Sequence, residues 1–174
     1  MTVAPEVQAL LDQRAIRDVV LRYCRGIDRL DLELVRDCYH PDATDDHGGF
    51  VGTRDEYVEW VGGVLMRYTG TMHVVANQLV ELAGDHARSE TYGVAYHHGD
   101  PPTDPRCNFT TGFRYVDSLV REDGAWRIAE RFAVREWTHS NAGRRRTPTT
   151  PGPLGRRDGD DPVFKLLADL TGRP

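Results

Sequence analysis

The chain has 174 residues, 39% hydrophobic and 28% charged, with 22 basic against 27 acidic side chains and a formal net charge of -5. That length and composition fit one ordinary globular domain, and the acidic balance argues against a role dominated by nucleic acid or an anionic membrane surface. No apolar run approaches the roughly 20 residues that a membrane-spanning helix needs.

The start of the chain lacks a charged-then-apolar leader pattern. Cys24, Cys38 and Cys107 show no metal-ligand spacing, so reduced thiols and a cytoplasmic location are expected. The run Arg144-Arg145-Arg146 is too short to create a nucleic-acid surface.

Apolar residues at Val7, Leu10, Leu11, Ala15, Ile16, Val19, Val20, Tyr23, Cys24 and Ile27 repeat every three to four positions, which predicts a helix over 7–27. Gly26 weakens its last turn. Asp31 is placed to cap a short second helix with Leu34, Val35, Cys38 and Tyr39 inward, ending at His40-Pro41 because a residue before proline disfavours helical geometry. Residues 42–51 read as a short strand or hairpin. Thr53-Arg54-Asp55-Glu56 is a capping box opening a third helix, which Gly70 closes.

Four long segments rich in Val, Thr and aromatics follow, over 71–82, 86–98, 108–121 and 125–138, divided by turn signals such as Ala83-Gly84-Asp85 and Glu122-Asp123-Gly124. Three helices followed by antiparallel strands predict an α+β domain, with helices packed on one face of a curved antiparallel sheet. The domain is expected over 1–142, followed by an Arg-, Pro- and Gly-rich tail over 143–174 with a short helix at 163–170.

Asp28 falls at the margin of the buried stripe of the first helix. The residues alone leave two readings: a surface acid paired with Arg25 or Arg29, or the orienting partner of an imidazole. His73, in Thr71-Met72-His73, opens an apolar strand and is the best such imidazole. A carboxylate on one ring nitrogen fixes the tautomer and makes the other a better base. Of His97 and His98, alternation lets only one enter a given cavity. His40 and His47 lack diagnostic metal-ligand spacing and read as surface polarity. Alternation along the last strand groups Arg135 with Arg131, opposite Phe132 and Val134, on the solvent side unless a bulge intervenes.

Ala15-Ile16, Tyr23, Arg25, Ile27 and Asp28, the strand entry Thr71-Met72-His73 and the final Asp123-Gly124-Ala125-Trp126-Arg127-Ile128 together resemble the SnoaL-like branch of the nuclear-transport-factor-2-like superfamily, over residues 7–140. The resemblance implies a cone-shaped α+β barrel of cystatin-like type, its curved sheet wrapped around three helices and its apolar pocket open at one end. Likeness to the bile acid dehydratases of that branch places catalytic residues at Tyr23, Asp28, His73 and Arg135. Likeness to the scytalone dehydratases adds His97 to Asp28 and His73.

It implies a cofactor-independent lyase that removes a proton next to a carbonyl of a hydrophobic cyclic substrate, steroid- or polyketide-like, with no metal. A double-bond isomerase, a polyketide cyclase and a non-catalytic binding module share the same parts. The pocket is expected among Tyr57, Trp60, Val64, Met66, Tyr92, Tyr96 and Phe113. The resemblance also implies a homo-oligomer, a trimer rather than a dimer.

Overall fold

A computed structural model describes residues 3–99, 108–140 and 156–158. Helix α1, Pro5–Arg29, begins with proline at its first turn, where the missing N–H costs nothing, and carries Glu6 there to complement the helix dipole. Its buried face is Ile16, Val19, Val20, Tyr23, Cys24 and Ile27, as the spacing predicts, whereas Val7, Leu10 and Leu11 stay exposed. Leu30, in the left-handed region at φ 57°, ends the helix, and its N–H reaches back to the carbonyls of Gly26 and Ile27. Gly26 has a packing purpose: a Cβ there would meet Cγ2 of Val35 at 2.7 Å. The glycine that weakens α1 thus lets the next helix lie close against it.

That helix, α2, covers Leu32–Asp37, and Asp31 caps it by accepting the Leu34 N–H at 3.1 Å. It is shorter than expected. Tyr39 already opens strand β1, Tyr39–Asp46, which runs straight through Pro41. Proline is tolerated because the pairing of β1 with its long neighbour is irregular between Tyr39 and Thr44, where no ladder bond is lost. Strand β2, Val51–Thr53, completes a hairpin with β1. The capping box then opens α3, Arg54–Leu65: Thr53 accepts the Glu56 N–H, and the Glu56 carboxylate accepts the Thr53 N–H at 2.9 Å.

The long strands are β3 (Gly70–Ala83), β4 (His86–His98), β5 (Phe109–Glu122) and β6 (Ala125–Ser140). They join the hairpin in one six-stranded sheet of order β2-β1-β6-β5-β4-β3. The expected α+β class holds, with two corrections to the sheet. It is mixed rather than antiparallel, because β1 runs parallel to β6, and it is unclosed, with β2 and β3 at its edges. Helix α1 touches both β3 and β6, three strands apart, so the sheet curves around it. Asp12 fastens the helix to the β5–β6 hairpin by accepting from Trp126 Nε1 at 3.0 Å and from Arg121 at 2.7 Å.

One bulge decides what the centre contains. Ser118 pairs with Glu130 but Leu119 with Ile128, so Ala129 is an extra residue in β6. Before it, Trp126 and Ile128 face inward; after it the parity flips and Arg131 is fully buried. Arg131 makes a two-pronged bond to Asp117, 2.7 Å on each prong, and its guanidinium lies 4.2 Å from the centre of the Tyr23 ring and 4.0 Å from that of Tyr115. The alternation argument had put Arg131 in solvent with Phe132 inside. Phe132 is in fact 44% exposed.

Among the described residues no helix is long and apolar enough to cross a membrane. The tail helix expected at 163–170, the arginine run 144–146 and Cys107 lie outside the described residues. Within the tail, Arg157 donates to the Leu65 and Tyr68 carbonyls at 3.0 and 2.6 Å, beyond the end of α3.

Candidate active site

Asp28 sits one residue before the end of α1, and His73 is the fourth residue of β3. The helix–sheet packing brings them together. Nδ1 of His73 lies 2.7 Å from Oδ1 of Asp28, the His73 backbone N–H donates to Oδ2 at 2.8 Å, and the Thr71 hydroxyl donates to Oδ1 at 2.9 Å. Both side chains are largely buried, His73 at 7% exposure and Asp28 at 13%. Burial alone would raise the Asp28 carboxyl, but the His73 side chain, its charge and backbone N–H, and the Thr71 hydroxyl outweigh it and hold the group below the ordinary carboxylate range. Asp28 is therefore an ionised acceptor that fixes the ring of His73 at Nδ1.

His73 forms part of the wall of a cavity of about 260 Å³ under the curved sheet. With Nδ1 committed to Asp28, Nε2 is the nitrogen left for that space. His97 and Arg135 also line it. The His97 ring stacks on Phe109, centroids 4.2 Å apart at 11°, and stands edge-on to His73 at 6.1 Å. Its Nδ1 is buried and without a hydrogen-bond partner. Burial first, and the neighbouring His73 second, push its pKa down to about 3, so His97 is neutral near pH 7. Such a ring can hydrogen-bond a substrate but does not arrive as a cation.

Arg135 reaches the cavity because the Ala129 bulge carries Arg131, Ala133 and Arg135 together to the inner side; Ala133 lines the cavity beside it. Arg135 is nonetheless exposed, as the alternation predicts, so it meets the cavity from its solvent side.

Tyr23 is placed differently from the role the resemblance implied. It is 1% exposed, is absent from the cavity wall, and its hydroxyl is paired with that of Tyr57 in the core. Tyr115, edge-on to it at 5.5 Å, stands at the cavity in its stead. Of the expected pocket residues, Trp60, Val64 and Phe113 line the space. Tyr57 is core, and Met66, Tyr92 and Tyr96 point outward with exposures from 38% to 73%.

The sequence argument missed His47. Far from surface polarity, it lines the same cavity, with Nδ1 3.0 Å from Oδ1 of the buried Asp45. Only the two-residue spacing of an acid and an imidazole signalled it. The described residues hold no cluster of metal-ligating side chains.

A mixed, unclosed sheet curved around a helix, with a carboxylate–imidazole pair on the wall of its inner cavity, makes this an α+β domain. The chain belongs to the SnoaL-like domain family, which its residues 8–132 match. A candidate scytalone dehydratase from Novosphingobium aromaticivorans superposes with a TM-score of 0.69 at 21% identity, covering 83% of this chain and 97% of that one. The hexachlorocyclohexane dehydrochlorinase LinA-type3 from Novosphingobium barchaimii gives 0.69 at 17% identity, over 82% and 99%. A cystatin-like protein of unknown function from Nostoc punctiforme gives 0.63 at 17%, over 78% and 96%. At such identities these likenesses establish the fold alone. A search of curated proteins finds no significant match.

Proposed function

We propose that the protein is a cofactor-independent lyase of dehydratase type, acting on a hydrophobic cyclic ketone that bears a leaving hydroxyl β to its carbonyl. The observation that carries this reading is the 2.7 Å contact of Asp28 with His73 on a cavity wall. Nε2 of His73 takes the α-proton. The C–H electron pair moves toward the carbonyl to give an enolate, which then re-forms the C=O bond as the β-hydroxyl departs. That hydroxide takes the proton from His73, so water leaves and the base is restored. Asp28 stabilises the imidazolium formed between these steps. His97, neutral and with a free acceptor or donor nitrogen, hydrogen-bonds the departing hydroxyl, and Arg135 attracts developing negative charge at the cavity mouth. A candidate dehydratase and a dehydrochlorinase of the same fold support an elimination.

The test uses a tetralone carrying a hydroxyl β to its ketone, whose loss of water gives a fluorescent naphthol. His73→Gln and Asp28→Asn are each expected to lower kcat by about 10²–10⁴-fold, the range of a positioned acid–base group. Turnover that survives both substitutions sinks the mechanism.

A further inference from the structure

Along the long strands, Arg114 is spent on Glu90 and Glu136, Arg121 on Asp12 and Asp85, and Arg131 on Asp117. Arg67 and Arg135 differ. Among the described residues neither is paired with a carboxylate, and both line the cavity. Arg135 stands directly across the β5–β6 ladder from Phe113, and residues opposite one another share a face of the sheet. Phe113 is buried in the cavity wall, so Arg135 sits at the rim, exposed yet turned to the same space. Arg67 follows the end of α3. Its Nε donates to the Val64 carbonyl at 3.4 Å, which lays the side chain beside another cavity residue and commits only that nitrogen among the described residues.

The charge of the wall is one-sided. No Asp or Glu is among the described residues that line it. Asp28 and Asp45 reach it only through His73 and His47, to whose Nδ1 atoms they are bonded. His97 is neutral near pH 7, its pKa being lowered to about 3. The fixed charge of the wall itself is therefore that of Arg67 and Arg135, in a chain whose net charge is -5. Like charges at a cleft with low-dielectric walls focus the field on its mouth. Their mutual repulsion is offset once an anion sits beside them. Trp60, Val64, Phe109, Phe113 and Ala133 give the same wall a broad apolar area around about 260 Å³. An apolar cavity of about 150 Å³ already holds a benzene ring.

We propose that Arg67 and Arg135 form an anion site at the cavity mouth, and that the ligand is an apolar body carrying a carboxylate, sulfate or phosphate-ester group. Arginine suits all three, because its planar fork of N–H donors matches their paired oxygens. The apolar body fills the cavity, and the anion stays at the rim, where it keeps part of its hydration and avoids the cost of full burial. The assignment rests on the elimination reading only in setting the body beside His73. Arg135 meets a charge that the ligand brings with it, in addition to one that develops during reaction. Arg67, on a different element, serves binding alone.

The experiment is a fluorescence titration of β-naphthoate against β-naphthamide, which matches it in shape and lacks the charge; neither needs turnover. Wild-type protein is expected to bind naphthoate at least about tenfold more tightly, the size of one charge-assisted bond. The preference should shrink several-fold between about 0.05 and 0.5 M salt, because a rim charge is screened. Arg67→Met and Arg135→Met, which keep an aliphatic stem, should each reduce it several-fold. The double variant should abolish it while naphthamide still binds, and His73→Gln should leave it intact. β-Naphthyl sulfate and β-naphthyl phosphate, titrated alongside, identify the group: the anion with the largest arginine-dependent preference is the one the site takes. The proposal is overturned if none of these anions is preferred to the amide, if the double variant keeps the preference, or if His73→Gln removes it. Should the preference depend on the arginines while the hydroxytetralone is never dehydrated, the anion site stands and the elimination reading falls. Should dehydration proceed with no anion preference, the reverse holds.

Discussion

Asp117 with Arg131, and Asp28 with His73, are both carboxylates paired with a basic side chain inside this domain, and they differ in access. Asp117 and Arg131 have no exposed side-chain surface and are joined by two 2.7 Å bonds, with the rings of Tyr23 and Tyr115 packed against the guanidinium. Asp28 and His73 share one side-chain bond of similar length, but the imidazole is also part of a cavity wall. In the first pair the guanidinium bonds Asp117 through Nε and Nη2 while its Nη1 is buried without a partner and away from the cavity wall, so the pair serves to hold β5 to β6. In the second, geometry leaves one nitrogen uncommitted. Burial of a charge pair is thus a poor guide to chemistry, whereas an unspent atom facing a cavity is a good one.

The largest effect expected from this contrast is on stability, at the sealed pair. Removing one partner of a buried ion pair leaves an uncompensated charge and typically costs about 3–5 kcal/mol. Asp117→Asn should lower the free energy of unfolding by that amount in urea titrations. The double replacement Arg131→Met with Asp117→Leu should recover most of the loss, because it removes both desolvation costs together. If the single variant costs less than about 1 kcal/mol, the range of exposed pairs, the centre is not sealed and the comparison fails.

A smaller effect distinguishes the cavity end by its pH response. The pKa of His97 is about 3 in the folded protein against an ordinary 6.5, so between those values the unfolded chain binds a proton that the native state refuses. Stability therefore falls as pH drops through this window, with a slope of up to about 1.4 kcal/mol per pH unit from this one group. Asp28, with its pKa lowered, acts in the same direction but only below its ordinary value of 3.8. His97→Phe keeps the stack on Phe109 and should flatten the stability profile between pH 6.5 and 4, measured as urea midpoints against wild type. An unchanged slope would mean that His97 is charged in the native state, and that two cations crowd the cavity.

Much of the molecule was legible before folding. The 3–4 periodicity of α1, the capping box of α3 and the turn signals between the long strands are local, and local signals survive in a sequence. Asp28 and His73 were legible because an acid at a stripe margin and an imidazole at a strand entry are each slightly out of place. What was hidden depended on pairing between distant strands. The extra residue at Ala129 reverses the faces of β6, and no composition marks it, so alternation puts Arg131 on the wrong side and hides the approach of Arg135 to the cavity. Asp45 and His47 sit in a segment that reads as polar surface. They are drawn inward only because β1 lies against β6, a parallel contact made across 80-odd residues of chain.

Tyr23 tests the boundary between the two regions most finely. The resemblance placed it in the reaction, yet its hydroxyl meets that of Tyr57 inside the core and its ring lies against the guanidinium of Arg131, on the sealed side. Tyr23→Phe removes that hydrogen bond and leaves the Tyr57 hydroxyl short of a partner, an expected loss of about 1 kcal/mol in urea titrations. The double variant Tyr23→Phe with Tyr57→Phe removes both polar groups at nearly constant shape and should recover much of that loss. Neither variant should change kcat/KM for the hydroxytetralone, since neither hydroxyl reaches the cavity. A fall in kcat with stability intact would move Tyr23 across the boundary, from the scaffold that holds the site to the site itself.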